Sequence, residues 1–178
     1  NKVWLDNIVE YSVNATLTKN DEKAIKDLED RIKRRKRAPG LIEASSTNRQ
    51  ECRLLVMEGA SAKSSAQQAR DAKTTAALDM SGKFNNVYDC TPAQVIEMVK
   101  LKDLLSTVGL VPGRPAIRSK LRYGKFIIAV DADMDGQDIF CNYINLFYKF
   151  WPELLDPTQP PFVHKLIVPN VVASKGKT

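Results

Sequence analysis

The sequence has little of what several kinds of functional site require. It contains one histidine, His164, which cannot build a histidine-rich metal site and argues against a Ser-His-Asp triad. Its three cysteines are odd in number and never stand in a C-x-x-C pair, which argues against a disulfide framework or a zinc ribbon and indicates a reducing compartment. Any chemistry must therefore rest on carboxylates, lysines and arginines.

Long apolar runs are also missing. The longest aliphatic or aromatic run is residues 126–130, whereas a membrane helix needs about 20 residues. The first turns carry Asp6 and Glu10 and lack the apolar stretch of a secretory signal. The chain starts at Asn1 without an initiator Met, as we expect for a piece of a larger protein. Its 178 residues, 43% apolar and 27% charged, have the composition of a soluble globular domain.

The net charge of +6 comes from one short block. Residues 31–37 hold six basic side chains in seven positions, and without them the 21 remaining basic residues equal the 21 acidic ones. Such a block can contact a polyanion, serve as a targeting signal or simply solvate a linker. The sequence leaves these three alternatives open.

Hydrophobic patterning predicts an α/β fold with a mostly parallel sheet. Residues 54–57 and 126–130 are short apolar runs, each followed by a polar turn and a helical pattern, which is typical of buried parallel strands with helical crossovers. Residues 91–110 have the apolar spacing of one or two helices. Residues 162–173 alternate enough to predict one or two further strands.

The first part of the chain predicts an exposed helical lead-in. Residues 3–36 carry a broken helical pattern, and we expect its second half to start with an N-cap at Asn20 or Asp21. Two domains follow from this pattern: a helical linker over residues 1–37 and an α/β domain over residues 38–178.

The acidic turn at residues 131–136 is the most informative segment. Its sequence is DADMDG, and alternate side chains of an extended backbone project to one side, so we expect Asp131, Asp133 and Asp135 to lie close together. Ionised carboxylates at such distances repel one another, and a hard divalent cation such as Mg²⁺ relieves the repulsion. Glu58 follows the other apolar run and becomes a fourth carboxylate if the two strands are neighbours.

Two other interpretations of this turn are weaker. An EF-hand calcium loop also begins D-x-D-x-D-G, but its position 12 would be Asn142 rather than Glu, and a strand rather than a helix leads into it. A purely structural turn would cap a helix starting near Gln137, which needs one aspartate and not three.

Several motifs now stand in order along the chain. They are E-G-A-S-A at 58–62, R-D at 70–71, G-K-x-x-N at 82–86, K-L-R-Y-G-K at 120–125, D-x-D-x-D-G at 131–136 and W-P-E-L at 151–154. In this order they resemble the TOPRIM domain of type IIA DNA topoisomerases, over residues 38–173. The short connection between Asn86 and Lys120 is most similar to the large subunit of the T-even-phage type.

Three positions depart from the family's motifs. Ala60 stands where the family has Asp, Ser81 where it usually has Arg, and Asp138 where many members have His. We expect these departures to affect rate and DNA affinity rather than the fold.

The resemblance implies a Rossmann-like TOPRIM fold and a set of partners. Residues 1–37 would be the end of the transducer, which joins the TOPRIM domain to an ATPase domain that binds ATP. The other partners would be double-stranded DNA and a winged-helix domain or subunit that carries the nucleophilic tyrosine, in a homodimer or heterotetramer and without a membrane. The location would be the cytoplasm, or the host cytoplasm if the gene is phage-encoded.

The resemblance also implies an activity. The chain would be the Mg²⁺-binding part of an ATP-dependent type II topoisomerase, with Glu58 as catalytic residue. Glu58, Asp131, Asp133 and Asp135 would hold Mg²⁺, or Mn²⁺ in its place. The DNA backbone would contact Lys83 and Asn86. Tyr123 stands just before a core strand, so packing explains this residue better than a role as nucleophile.

Two further functions use the same carboxylates. One is a primase or nuclease, since a metal-bound carboxylate cluster does not choose among phosphoryl-transfer reactions. The other is a non-catalytic interaction module, which Ala60 and Ser81 would suit. The K-L-R-Y-G-K and W-P-E-L motifs favour the topoisomerase.

Overall fold

A computed structural model of the protein describes the backbone of residues 2–34, 38–59, 66–80 and 84–168, and the side chains of residues 18–167 within those ranges. Predictions for Lys83, Ser81, residues 60–62 and residues 35–37 of the basic block lie outside the described residues. The same holds for the part of the last predicted strand region beyond residue 168.

A four-stranded parallel sheet forms the centre of the fold. Its strands are β1 (Arg53–Met57), β2 (Thr75–Asp79), β3 (Lys125–Asp131) and β4 (Val163–Val168). They lie in the order β2-β1-β3-β4, and each neighbouring pair is parallel. The predicted parallel sheet is therefore confirmed, and the carboxyl ends of all four strands meet at one edge.

Helices α1 (Lys2–Lys33), α2 (Pro92–Glu97), α3 (Val99–Val108) and α4 (Met134–Phe150) accompany the sheet. The sequence sets their ends. Thr91 and Gln94 form a capping box at the start of α2, and Gly109 ends α3 in the left-handed conformation at φ 90°. Among the described residues, no helix is long and apolar enough to cross a membrane.

The main core lies on one face of the sheet. Leu54, Val56, Phe126 and Ile128 point to this face and are almost completely buried, and each such side chain contributes about 1.5–3 kcal/mol on burial. Residues of the flanking helices complete the cluster: Ile25, Leu28, Ile96, Leu101, Leu104, Tyr143 and Phe147. Aromatic rings pack edge to face here, with the Phe126 and Phe147 centroids 5.2 Å apart.

The structure of helix α1 contradicts two predictions. It is continuous from Lys2 to Lys33, so no second helix starts at Asn20 or Asp21. The Asp21 carboxylate instead accepts a hydrogen bond from the Ala93 amide at 2.8 Å, at the beginning of α2. Ile25 and Leu28 are buried in the main core, so the second half of α1 is not an exposed lead-in. The domain division after residue 37 stays a prediction.

Strand β2 differs from the prediction of helix after Gly59. Residues 66–69 are indeed helical, but Thr75–Asp79 is a strand. The segment is rich in alanine, which favours helix, yet pairing with β1 buries four of its five residues. Tertiary pairing therefore overrides local propensity in this segment.

Arg31, the first residue of the basic block, has a structural role. Its guanidinium forms an ion pair with Asp103 and donates from Nε to Ser106 Oγ at 3.1 Å, which fastens α1 to α3. Both side chains of the ion pair are only 17% exposed. Lys33 instead pairs with Asp30 on the open surface of the same helix.

The two basic residues give a test of this difference. We expect Arg31→Ala to lower the free energy of unfolding by about 2 kcal/mol, because it leaves the Asp103 carboxylate partly buried without its partner. Lys33→Ala should change it by less than about 0.5 kcal/mol, since exposed ion pairs contribute little. Urea unfolding followed by circular dichroism measures both, and an equal effect of the two substitutions would contradict the assignment.

Candidate metal centre

Acidic residues stand at the carboxyl ends of three neighbouring strands. Glu58 follows β1 directly, Asp79 is the last residue of β2, and Asp131 is the last residue of β3. The register sets Met57 against Asp79 on one side and against Ala129 on the other. Strands β1 and β3 are therefore neighbours, which is the condition under which Glu58 was expected to be a fourth carboxylate. Asp79 was missed because its strand was missed.

The turn after β1 fixes the backbone around Glu58. Gly59 has φ 90°, a left-handed conformation that favours glycine, although a Cβ there would meet no atom of the described part of the chain within 4 Å. The Gly59 amide donates to Asp79 Oδ1 at 3.1 Å, and the Met80 amide donates to the Met57 carbonyl at 2.9 Å. The Glu58 side chain itself is exposed.

The acidic turn leads from β3 directly into α4. Asp133 has an extended backbone and is the N-cap of α4, with Oδ1 accepting from the Gly136 amide at 2.7 Å. Because the helix begins at Met134, Asp135 lies in its first turn. The expected extended backbone through all three aspartates is therefore wrong at Asp135, and the helix starts before Gln137.

Gly136 lets this turn close. A Cβ at this position would lie 2.3 Å from the Asp131 carbonyl oxygen, closer than real contacts allow, and 3.1 Å from the Asp131 amide nitrogen. The first turn of α4 thus packs on the backbone of Asp131, and only glycine permits that approach. The motif's glycine is a steric requirement of the junction between strand and helix.

A small apolar cavity lies beneath Glu58. Its volume of about 10 Å³ leaves room for no more than one water molecule. Tyr143 of α4 is buried in its wall, and burial, followed by the negative charge of Glu58, raises the pKa of the Tyr143 phenol. Asn142 ties α4 to the segment that precedes α2, because its Nδ2 donates to the Phe84 carbonyl at 3.1 Å.

Comparison with known proteins gives the family. Residues 53–165 match the Toprim domain. The chain belongs to the Toprim family. Its relatives include a type 2 topoisomerase subunit from Aquifex aeolicus, 35% identical over 84% of this chain and 19% of that protein. A DNA gyrase subunit from Thermotoga maritima is 39% identical over 66% of this chain and 19% of that protein.

A solved structure is also similar. The DNA-binding, cleavage and re-ligation domain of Plasmodium falciparum topoisomerase II matches with a TM-score of 0.64 and 30% identity. The match covers 71% of this chain and 18% of that one. This Toprim domain spans about a fifth of the length of the curated relatives named above.

The K-L-R-Y-G-K motif of this Toprim domain holds the amino end of β3 in place. Glu43 accepts from Arg122 Nη2 at 2.6 Å and from the Tyr123 hydroxyl at 2.7 Å. Tyr123 is fully buried, and burial, followed by the bond to Glu43, raises the pKa of its phenol. A Cβ on Gly124 would collide with the Gln50 carbonyl oxygen at 2.0 Å. The prediction that Tyr123 serves packing is confirmed.

Asn86, predicted to contact DNA, is exposed in the segment that precedes α2. Its Oδ1 accepts from the Tyr88 amide at 2.9 Å, which forms a local turn. Its predicted partner in DNA binding, Lys83, lies outside the described residues.

The carboxylates at the strand ends suit a hard divalent cation. Glu58, Asp131, Asp133 and Asp135 are exposed and offer oxygen ligands. Within the described ranges, no three Asp, Glu, His or Cys side chains form a group that could hold an ion by itself. Mg²⁺ usually binds through one or two carboxylates and keeps several waters, whereas calcium and structural zinc need fuller protein cages. Carboxylate oxygens are ligands that hard divalent cations such as Mg²⁺ prefer, so the chemistry of these four residues fits such an ion.

Gly136→Ala should disrupt the centre. We expect a loss of about 2–4 kcal/mol in the free energy of unfolding, because the added methyl group forces α4 away from the Asp131 backbone. Met134→Ala, in the same helical turn, removes a side chain that is 78% exposed and should change stability by less than about 0.5 kcal/mol. Thermal unfolding of both variants tests this, and a Gly136→Ala variant as stable as the wild type would contradict the close approach.

Proposed function

We propose that this Toprim domain is the metal-binding part of an ATP-dependent type II topoisomerase, which cleaves and religates double-stranded DNA. One observation carries the proposal: Glu58 and Asp131 end neighbouring parallel strands at one edge of the sheet. The relatives named above are type II topoisomerase proteins, which favours this function over a nuclease, a primase or a non-catalytic module.

In this proposal, four carboxylates bind two metal ions. Glu58 and Asp131 would hold one Mg²⁺, and Asp133 would hold a second with Asp131 and Asp135. Asp133 Oδ1 accepts the N-cap hydrogen bond of α4, so Oδ2 is the atom that would bind the ion. When bound, Mg²⁺ supplies positive charge that offsets the negative charge of the scissile phosphate and the 3′-oxygen.

Glu58 also has a role in proton transfer. During cleavage, a tyrosine of the winged-helix partner forms a 5′-phosphotyrosyl bond and a 3′-hydroxyl is released. In religation the Glu58 carboxylate accepts the proton of that hydroxyl as the 3′-oxygen attacks the phosphotyrosyl phosphorus, and the bond from phosphorus to the tyrosine oxygen breaks and releases the tyrosine. The exposed position of Glu58 on a fixed backbone suits this role.

The remaining partners follow from the same assignment. Lys83 and Asn86 would contact the DNA backbone, which positions the duplex without reading its sequence. ATP would bind to a neighbouring domain, joined through the transducer to residues 1–37. The complete enzyme would be a homodimer or heterotetramer in the cytoplasm. The likeness to the T-even-phage type stays a prediction, as does the use of Mn²⁺ in place of Mg²⁺.

Glu58→Gln tests the proposal. We expect cleavage of plasmid DNA by the complete enzyme to fall by about 100-fold or more, because the amide neither holds Mg²⁺ as a carboxylate does nor accepts the proton. Glu51→Gln is the matched control, since Glu51 is exposed just before β1 at the opposite end of the strand. Both variants should keep the wild-type melting temperature. Normal cleavage by Glu58→Gln would refute the assignment.

A further inference from the structure

Asp79 lies at the carboxyl edge of the sheet but is none of the four carboxylates proposed to bind metal. It is half-buried at the end of β2, directly opposite Met57 in the register. One of its oxygens, Oδ1, accepts the Gly59 amide hydrogen at 3.1 Å. This bond crosses between strands at the point where regular pairing of β1 and β2 has ended.

The neighbouring residue makes a second bond of the same kind. The Met80 amide donates to the Met57 carbonyl at 2.9 Å. Met57 and Gly59 flank Glu58, so two consecutive residues, Asp79 and Met80, hold the backbone on both sides of Glu58. The Glu58 side chain makes none of these contacts and stays exposed.

The bond at Gly59 is the more vulnerable of the two. Met80 binds through backbone atoms, which any side chain would preserve, whereas the bond to Gly59 needs an acceptor oxygen at position 79. Gly59 is in the left-handed region at φ 90°, and a Cβ there would meet no atom of the described residues within 4 Å. A side-chain oxygen of either a carboxylate or an amide at position 79 can accept this hydrogen bond.

We propose that Asp79 is a positioning residue, whose acceptor oxygen holds the turn at Gly59 and so places Glu58 for metal binding and proton transfer. The inference rests on the proposed function, in which Glu58 performs both tasks. Its physical basis is that a catalytic group displaced by about 1 Å loses on the order of 100-fold in rate. In this role Asp79 acts on Glu58 through the backbone of Gly59.

Two substitutions separate the acceptor oxygen from the charge. Asp79→Asn keeps Oδ1 and removes the charge, whereas Asp79→Ala removes both. In the complete enzyme, we expect Asp79→Ala to raise the Mg²⁺ concentration for half-maximal DNA cleavage about tenfold, and Asp79→Asn to stay within about twofold of the wild type. Asp71→Ala and Asp71→Asn are matched controls at the other end of β2. Asp71 also accepts a backbone amide, that of Lys73 at 2.9 Å, and neither substitution should change the Mg²⁺ requirement.

Amide hydrogen exchange adds a readout that does not depend on catalysis. In the wild-type protein the Gly59 amide should exchange at least about tenfold more slowly than in an unstructured peptide. This protection should persist in Asp79→Asn and disappear in Asp79→Ala. An unprotected Gly59 amide in the wild type would overturn the inference even if Asp79→Ala failed to fold.

The outcomes distinguish the two proposals. If Glu58→Gln abolishes cleavage and Asp79→Ala cleaves with the wild-type Mg²⁺ requirement, the positioning role is wrong and the proposed function stands. An equal loss in Asp79→Asn and Asp79→Ala also overturns the positioning role, because the charge would then be what matters. Normal cleavage by Glu58→Gln refutes the proposed function, whatever Asp79 does.

Discussion

The parallel pairing of β1 with β3 is the interaction on which the site depends. These strands are far apart in sequence, and only their pairing brings Glu58 and Asp131 to the same edge of the sheet. The pairing is stable because Leu54 and Val56 of β1 and Phe126 of β3 bury their side chains against the helices. The proposed metal centre would therefore take its geometry from the hydrophobic core beneath it.

Backbone contacts around the site are fixed, while the carboxylates above them are exposed. Gly136 brings α4 onto the backbone of Asp131, and the N-cap bond of Asp133 sets where that helix begins. The hydrogen bond from the Gly59 amide to Asp79 likewise fixes the turn after Glu58. Exposed side chains on a rigid backbone can bind an ion and a phosphate together without reorganising the chain, which is the condition for electrostatic catalysis.

Much of this could be predicted from sequence because the strongest signals are local. Two apolar runs with acidic turns indicated β1 and β3, and with them Glu58 and Asp131 as strand-end residues. Strand β2 could not be found this way, since its alanines favour helix and only pairing with β1 makes it a strand. Because β2 was not predicted, Asp79 was not recognised as a residue at the end of a strand. The role of Asp21 was equally hidden, because its partner Ala93 lies 72 residues away.

Titration of the protein with Mn²⁺ in an isothermal calorimeter tests the central claim most directly. Asp131→Ala combined with Asp133→Ala is the variant, and Asp156→Ala is the control, because Asp156 caps its own exposed turn through Thr158. The carboxyl edge of the sheet is a metal centre if the wild type and the control bind Mn²⁺ saturably and the double variant does not. Equal binding by all three proteins, or no binding by the wild type even with DNA present, would contradict it.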